Sequence, residues 1–115
     1  MMQEEYARVF LTNKYQDLHE RMLQIERDRH HIAQALSADS AEQAIELEND
    51  EVLDRLAEVT SHELAQVRRA LDHFNIGQYG HCSVCGEEIS YARLSALPEA
   101  TECLACAERS EAGSA

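Results

Sequence analysis

The chain has 115 residues, with 22 Asp and Glu against ten Lys and Arg, for a net charge of −12. That balance argues against direct nucleic-acid binding, which is driven by basic side chains neutralising phosphates. With 5% aromatic residues, no Trp, one Pro and four Gly, the composition fits a helical protein with a thin core: one small domain, or one plus an extension. No apolar run reaches the length of a membrane span. The opening Met1-Met2-Gln3-Glu4-Glu5 has no basic stretch followed by an apolar one, so no signal peptide is expected, and a cytoplasmic location is.

Residues from about Gln3 to Leu36 read as one helix. Leu11, Tyr15, Leu18, Met22, Ile25, Arg29, Ile32 and Leu36 alternate spacings of four and three, a heptad seam broken only by Arg29. A lone amphipathic helix of that length needs a partner to cover its stripe. The partner follows in the same chain. Ser37-Ala38-Asp39-Ser40 interrupts the pattern, Asp39 or Ser40 can cap a second helix, and Glu42 lies three residues after Asp39 as in a capping box. That helix is expected to run to about Asn75, with a less regular apolar set of Ile45, Val52, Leu56, Val59, Leu64, Val67, Leu71 and Phe74. Leu18, Ile25 and Ile32 are expected to face Val52, Leu56 and their neighbours. The fold class is therefore mainly α: residues 1–76 form an antiparallel coiled-coil hairpin with its tip at 37–42. Asn75-Ile76-Gly77 ends it with a C-terminal glycine.

Charge is distributed unevenly along this hairpin. From Asp39 to Glu63 nine acids face one base, Arg55, whereas from Met1 to Leu36 six acids nearly balance five bases. A solvated helix face explains an acidic run of this kind. Solubility alone accounts for most of it; the sharper reading is an acidic element aimed at a basic or metal-containing partner.

All four cysteines lie in the remaining segment, as Cys82-Ser83-Val84-Cys85 and Cys103-Leu104-Ala105-Cys106, with seventeen residues between the pairs. Two Cys-x-x-Cys pairs at this separation have the spacing of a four-cysteine zinc site. A two-residue gap lets the backbone form a tight knuckle aiming both sulfurs at one point, and Gly86 supplies the conformational freedom the turn needs. Disulfides would require an oxidising compartment, and a redox pair would need only one such motif. Four thiolates close the metal shell, so the zinc is structural, and His81 is a neighbour and not a ligand. Ile89, Tyr91, Leu94 and Leu97 are expected to form a miniature core, and Pro98 marks a turn. A short helix from about Cys103 is expected to carry Leu104 and Ala107. The module spans 77–111, and residues 112–115 read as a disordered tail. His30 and His31, adjacent on a helix, read as surface residues.

A helical hairpin running directly into Tyr-Gly-His-Cys-Ser-Val-Cys-Gly-Glu-Glu-Ile resembles the DksA/TraR family of bacterial transcription regulators. The matching stretch is Gly80 to Cys106, including Cys82-x-x-Cys85-Gly86, Ile89, Arg93-Leu94, Pro98 and Cys103-x-x-Cys106. Longer members carry a further N-terminal helical segment outside this pattern. The resemblance implies one structural Zn²⁺ held by Cys82, Cys85, Cys103 and Cys106. It also implies that the hairpin enters the secondary channel of RNA polymerase, where the family's tip motif Asp-x-x-Asp-x-Ala approaches the active centre.

The tip here reads Asp39-Ser40-Ala41-Glu42-Gln43-Ala44, with Asp39 and Ala44 matching and Glu42 in place of the second Asp. Asp39 lies 43 residues before Cys82, similar to the family spacing. Asp39, Glu42 and Ala44 are therefore the candidate partner-binding residues. Gln66, Leu97 and Ala107 stand where members responsive to ppGpp carry basic residues. A pyrophosphate needs such donors, so weak or absent ppGpp binding is implied, with Arg68 and Arg69 nearby as partial compensation. No enzyme is expected, because neither a nucleophile–base pair nor an open metal position is visible. The alternatives are a structural or adaptor coiled-coil zinc protein serving another protein partner, and a nucleic-acid-binding zinc ribbon, which the charge disfavours.

Overall fold

The computed structural model describes the backbone of residues 2–36 and 43–113, and the side chains of 4–31 and 51–110. Four helices follow one another: α1 (Met2–Leu36), α2 (Gln43–Asn75), α3 (Tyr91–Ala96) and α4 (Leu104–Gly113). Among the described residues the only extended pairing is an isolated antiparallel bridge between His81 and Glu88. The long helices pair as an antiparallel coiled-coil hairpin, and the expected seam of α1 is the observed one. Leu11, Leu18 and Ile25 are buried, and Tyr15, Met22 and Arg29 between them are half-buried. The expected tip at 37–42, with Asp39 and Glu42, lies outside the described residues. So do the tail positions 114–115 and the side chains of Ile32, Leu36, Ala44 and Ile45.

The chain forms two compact units: Gln16–Leu64, and Met1–Tyr15 with Ala65–Ala115. In the first, Leu18 and Ile25 of α1 are buried together with Ala57 and Thr60 of α2. Arg29 is the one charged position of the α1 seam, and its guanidinium reaches the Asp54 carboxylate at 2.9 Å. A long side chain can lie along the seam edge with its charge in water, so the heptad survives an arginine there. In the second unit Leu11 of α1 is fully buried, as are Val67 and Ala70 of α2. Lys14 bonds Glu99 at 3.3 Å, joining α1 to the segment before the second cysteine pair.

The register of α2 differs from the sequence expectation. Val52, Leu56 and Val59 are 57%, 45% and 52% exposed, so they do not face Leu18 and Ile25. The inward positions are Leu53, Ala57, Thr60, Leu64, Val67, Leu71 and Phe74, which alternate spacings of four and three without a break. The reason is steric. Ala57, Thr60 and Ala70 are small, and small side chains let two helix backbones approach, which larger ones prevent. The larger aliphatic residues form a second stripe on the outer flank.

Helix α2 ends as a Schellman motif. Gly77 has φ of +71°, its N–H donates to the Phe74 carbonyl at 3.2 Å, and the Gln78 N–H donates to His73 at 2.7 Å. The chain then turns so that Tyr79 stacks on Phe74, with ring centroids 3.9 Å apart and planes 13° from parallel. The Tyr79 hydroxyl donates to the Pro98 carbonyl at 3.0 Å, which anchors the expected turn.

Candidate metal centre

Two knuckles present the cysteines. In the first, the Cys82 N–H donates to Glu87 at 2.8 Å and the Gly86 N–H returns to the Cys82 carbonyl at 2.9 Å. Gly86 has φ of +78°, a conformation that L side chains rarely adopt, and so closes the turn expected there. The Ile89 N–H donates to Gly80 at 2.7 Å, fastening the base of the loop. In the second knuckle Cys103 immediately precedes α4, and its carbonyl accepts from the Ala107 N–H at 2.9 Å. Cys106 therefore sits in the first turn of a helix. The backbone ties the two segments together as well, with the Ser83 N–H donating to the Thr101 carbonyl at 2.8 Å.

Between the knuckles, α3 begins at Ser90, whose hydroxyl accepts from the Arg93 N–H at 3.2 Å. The guanidinium of Arg93 then reaches the Glu102 carbonyl at 2.9 Å. The small core differs in part from the expectation. Cys82, Ile89 and Cys106 are buried, with Leu94 and Cys103 packed against them, whereas Tyr91, Leu97 and Leu104 are exposed. The segment is short, so the cysteines themselves fill its centre and the aromatic and leucine rim is left outside.

The four sulfur atoms of Cys82, Cys85, Cys103 and Cys106 all lie within 4.8 Å of one another, and those of Cys85 and Cys103 are 3.9 Å apart. A tetrahedron with metal–sulfur arms of about 2.3 Å has edges of about 3.8 Å, so the cluster fits one Zn²⁺. The environment of the thiols also suits a metal. The backbone N–H of Cys85, followed by that of Cys103, pulls the Cys82 thiol down to about 6. The hydrogen bond with the Cys103 side chain, followed by burial, pushes Cys106 up to about 12. A bound metal would resolve this conflict, since it takes all four sulfurs as thiolates. Four sulfurs complete the shell, and the resulting site organises the chain around it without offering an open position to a substrate.

Comparison with known proteins agrees with this geometry. Residues 77–112 match the prokaryotic dksA/traR C4-type zinc finger. Residues 6–74 match the N-terminal domain described as DnaK suppressor protein-like. The chain belongs to the DksA/TraR family. The transcription factor DksA2 from Pseudomonas aeruginosa superposes with a TM-score of 0.81 at 28% identity, covering 99% of this chain and 87% of that one. The DnaK suppressor protein from Agrobacterium tumefaciens C58 superposes with a TM-score of 0.63 at 30% identity, covering 95% of each chain. An uncharacterised protein of Aquifex aeolicus strain VF5 is 42% identical over 62 residues, which is 54% of this chain and only 43% of that relative.

In this DksA/TraR chain Cys82, Cys85, Cys103 and Cys106, the four residues the sequence pattern singles out, are brought together in a position to hold one metal ion. His81 is half-buried beside them and His30 and His31 are exposed. Of the positions compared with ppGpp-responsive members, Gln66 and Ala107 are half-buried, while Leu97, Arg68 and Arg69 are exposed. Sequence reading named Arg93 only as part of the matching stretch and did not name Arg109; Arg93 bonds the backbone just before the second knuckle and Arg109 contacts the knuckle itself. Arg109 donates from Nη2 to the Cys106 sulfur at 3.7 Å. Among the described residues, no helix is long and apolar enough to cross a membrane.

Proposed function

We propose that this protein is a zinc-containing transcription regulator that binds RNA polymerase and inserts its hairpin tip into the secondary channel. The likeness to the transcription factor DksA2, over 99% of this chain, carries the reading. The division of labour is one of reach and support: the hairpin of residues 1–76 extends the tip at 37–42, and the zinc module of 77–111 braces its base, leaving 112–115 as a tail. At the tip the Asp39 carboxylate, within the motif that Glu42 and Ala44 complete, acts on the polymerase's catalytic Mg²⁺ or on the basic groups holding nucleotide. No chemistry by this chain is required, so it acts as a regulator and not as an enzyme. With a charge of −12 it engages protein and not DNA, and its action takes place in the cytoplasm. Basic groups are missing at Gln66, Leu97 and Ala107, so ppGpp binds weakly or not at all.

The experiment separates capping from function. Asn caps a helix about as well as Asp, so Asp39→Asn is expected to keep zinc content, helicity and polymerase binding while abolishing the effect on initiation. A purified transcription assay is run beside a binding competition, at equal occupancy of wild type and variant. Unchanged regulation by Asp39→Asn would reduce Asp39 to a helix cap, and no binding by the wild type would remove the proposal. A structural adaptor for another protein is the second reading, favoured by the exposed Val52, Leu56 and Val59 on the acidic helix. Affinity purification from the native cells distinguishes the two by the presence or absence of polymerase subunits.

A further inference from the structure

The segment from Gly77 onward holds six glutamates and only two basic residues, Arg93 and Arg109. Both guanidinium groups are spent on the second knuckle. Arg93 donates through Nε to the Glu102 carbonyl at 2.9 Å, one residue before Cys103. Arg109, in α4 at i+3 from Cys106, donates through Nη2 to the Cys106 sulfur at 3.7 Å. Its Nε faces the Ala105 carbonyl at 3.5 Å, so one arm of the planar fork lies toward the helix backbone and the other toward the Cys106 sulfur. These contacts differ in kind. The Arg93 bond holds backbone, whereas the Arg109 bond reaches an atom that binds the metal.

Four thiolates and one Zn²⁺ leave a net charge of about −2 on the cluster, in a segment already rich in acids. Charge on a thiolate makes it a nucleophile and a base. A charge-assisted N–H···S bond withdraws part of that charge, which weakens attack by an electrophile on the sulfur. Cys106 is buried, so alkylating reagents reach it only when this corner of the site opens. We propose that Arg109 is a positioning residue for the zinc centre: it caps the Cys106 sulfur, quenches its nucleophilicity and retards loss of zinc through that ligand.

The test uses the full-length zinc-loaded protein. Arg109→Met removes charge and donor, Arg109→Gln keeps an N–H donor without the charge, and Glu108→Gln changes the charge next door without touching the sulfur. Zinc content and helicity are recorded first. Iodoacetamide labelling is then followed by peptide mapping at each cysteine, and zinc release is timed with a chromogenic chelator. Labelling of Cys106 and zinc release are each expected to accelerate about tenfold in Arg109→Met, and less in Arg109→Gln. Glu108→Gln is expected to match wild type or label more slowly. In cobalt-substituted protein the thiolate-to-metal charge-transfer band is expected to move in Arg109→Met, because a sulfur relieved of its hydrogen bond donates more strongly. An unchanged Cys106 rate with an unchanged band would overturn the proposal. An equal acceleration at all four cysteines would overturn it as well, since that pattern means a loosened fold. Should Arg109→Met not hold zinc, Arg109→Gln carries the comparison. Loss of zinc and helicity in both would assign Arg109 to the folding of α4 instead.

Discussion

The register of α2 can be tested with two adjacent residues, Leu56 and Ala57. Leu56 is 45% exposed and Ala57 is 7% exposed. Fully burying a leucine side chain stabilises by roughly 1.5–3 kcal/mol, so truncating one that is half out of water forfeits about 1 kcal/mol, and alanine's helix propensity returns part of it. Leu56→Ala is therefore expected to cost at most about 1 kcal/mol. Ala57→Leu adds three carbons where α1 and α2 meet, and overpacking of that kind costs about 1–3 kcal/mol. Leu18→Ala, which empties a position 3% exposed, is expected to cost about 2–5 kcal/mol. The three variants and wild type are compared as zinc-loaded proteins in urea melts followed by circular dichroism at the helix band. The expected order of loss is Leu18→Ala, then Ala57→Leu, then Leu56→Ala. A neutral Ala57→Leu together with a costly Leu56→Ala would reinstate the sequence-derived register and refute the packing described.

Elemental analysis of the native protein should find one zinc per chain. Removing it with a strong chelator should abolish amide-exchange protection over residues 79–107 while α1 and α2 keep theirs between residues 16 and 64. Zinc affinity should fall with acidification and fall more steeply below pH about 6, by about a further tenfold per pH unit. There the Cys82 thiol, held down to about 6, regains a proton that the metal must displace; a chelator competition between pH 5 and 8 with no such steepening would contradict this. Gly77→Ala is expected to cost about 1–2 kcal/mol, because φ is +71° while the space around the position is open. Gly77→Asn should cost less, since Asn tolerates that conformation, and equal melts for all three proteins would count against the Schellman cap.

The sequence made α1 legible because one stripe is apolar at regular spacing and no rival stripe competes with it. In α2 two stripes compete. Val52, Leu56 and Val59 carry more carbon than Ala57 and Thr60, so a reading that ranks positions by size selects the outer flank. Regularity was the better guide: from Leu53 to Phe74 the alternation of four and three is unbroken, although it passes through an alanine and a threonine. The four zinc ligands were legible because metal geometry restricts cysteine spacing tightly. Arg109 was not, since an arginine three residues after a cysteine is unremarkable until a helix places it over the sulfur. Its isolation among glutamates was the only signal. Tyr91 and Leu97 were misjudged for the opposite reason: their apolarity suggested burial, and the segment is too small to cover more than Ile89, Leu94 and the cysteines.

The bond between Lys14 and Glu99 joins residues 85 positions apart, and this has a consequence for synthesis on the ribosome. Translation proceeds at about 5–20 residues per second, so Lys14 waits several seconds for its partner to be made. Gln16–Leu64 is a contiguous stretch, and it can close while the rest is still being translated. The unit that combines Met1–Tyr15 with Ala65–Ala115 cannot, because its sulfur cluster is incomplete until Cys106 has emerged. During that interval Leu11, buried in that unit, lacks the later part of the chain that completes it. A nascent chain that has emerged as far as residue 64 would therefore expose Gln16–Leu64 complete and Leu11 still uncovered. The four-sulfur cluster closes last of all, because it needs Cys106, so metal is the final component to join the fold.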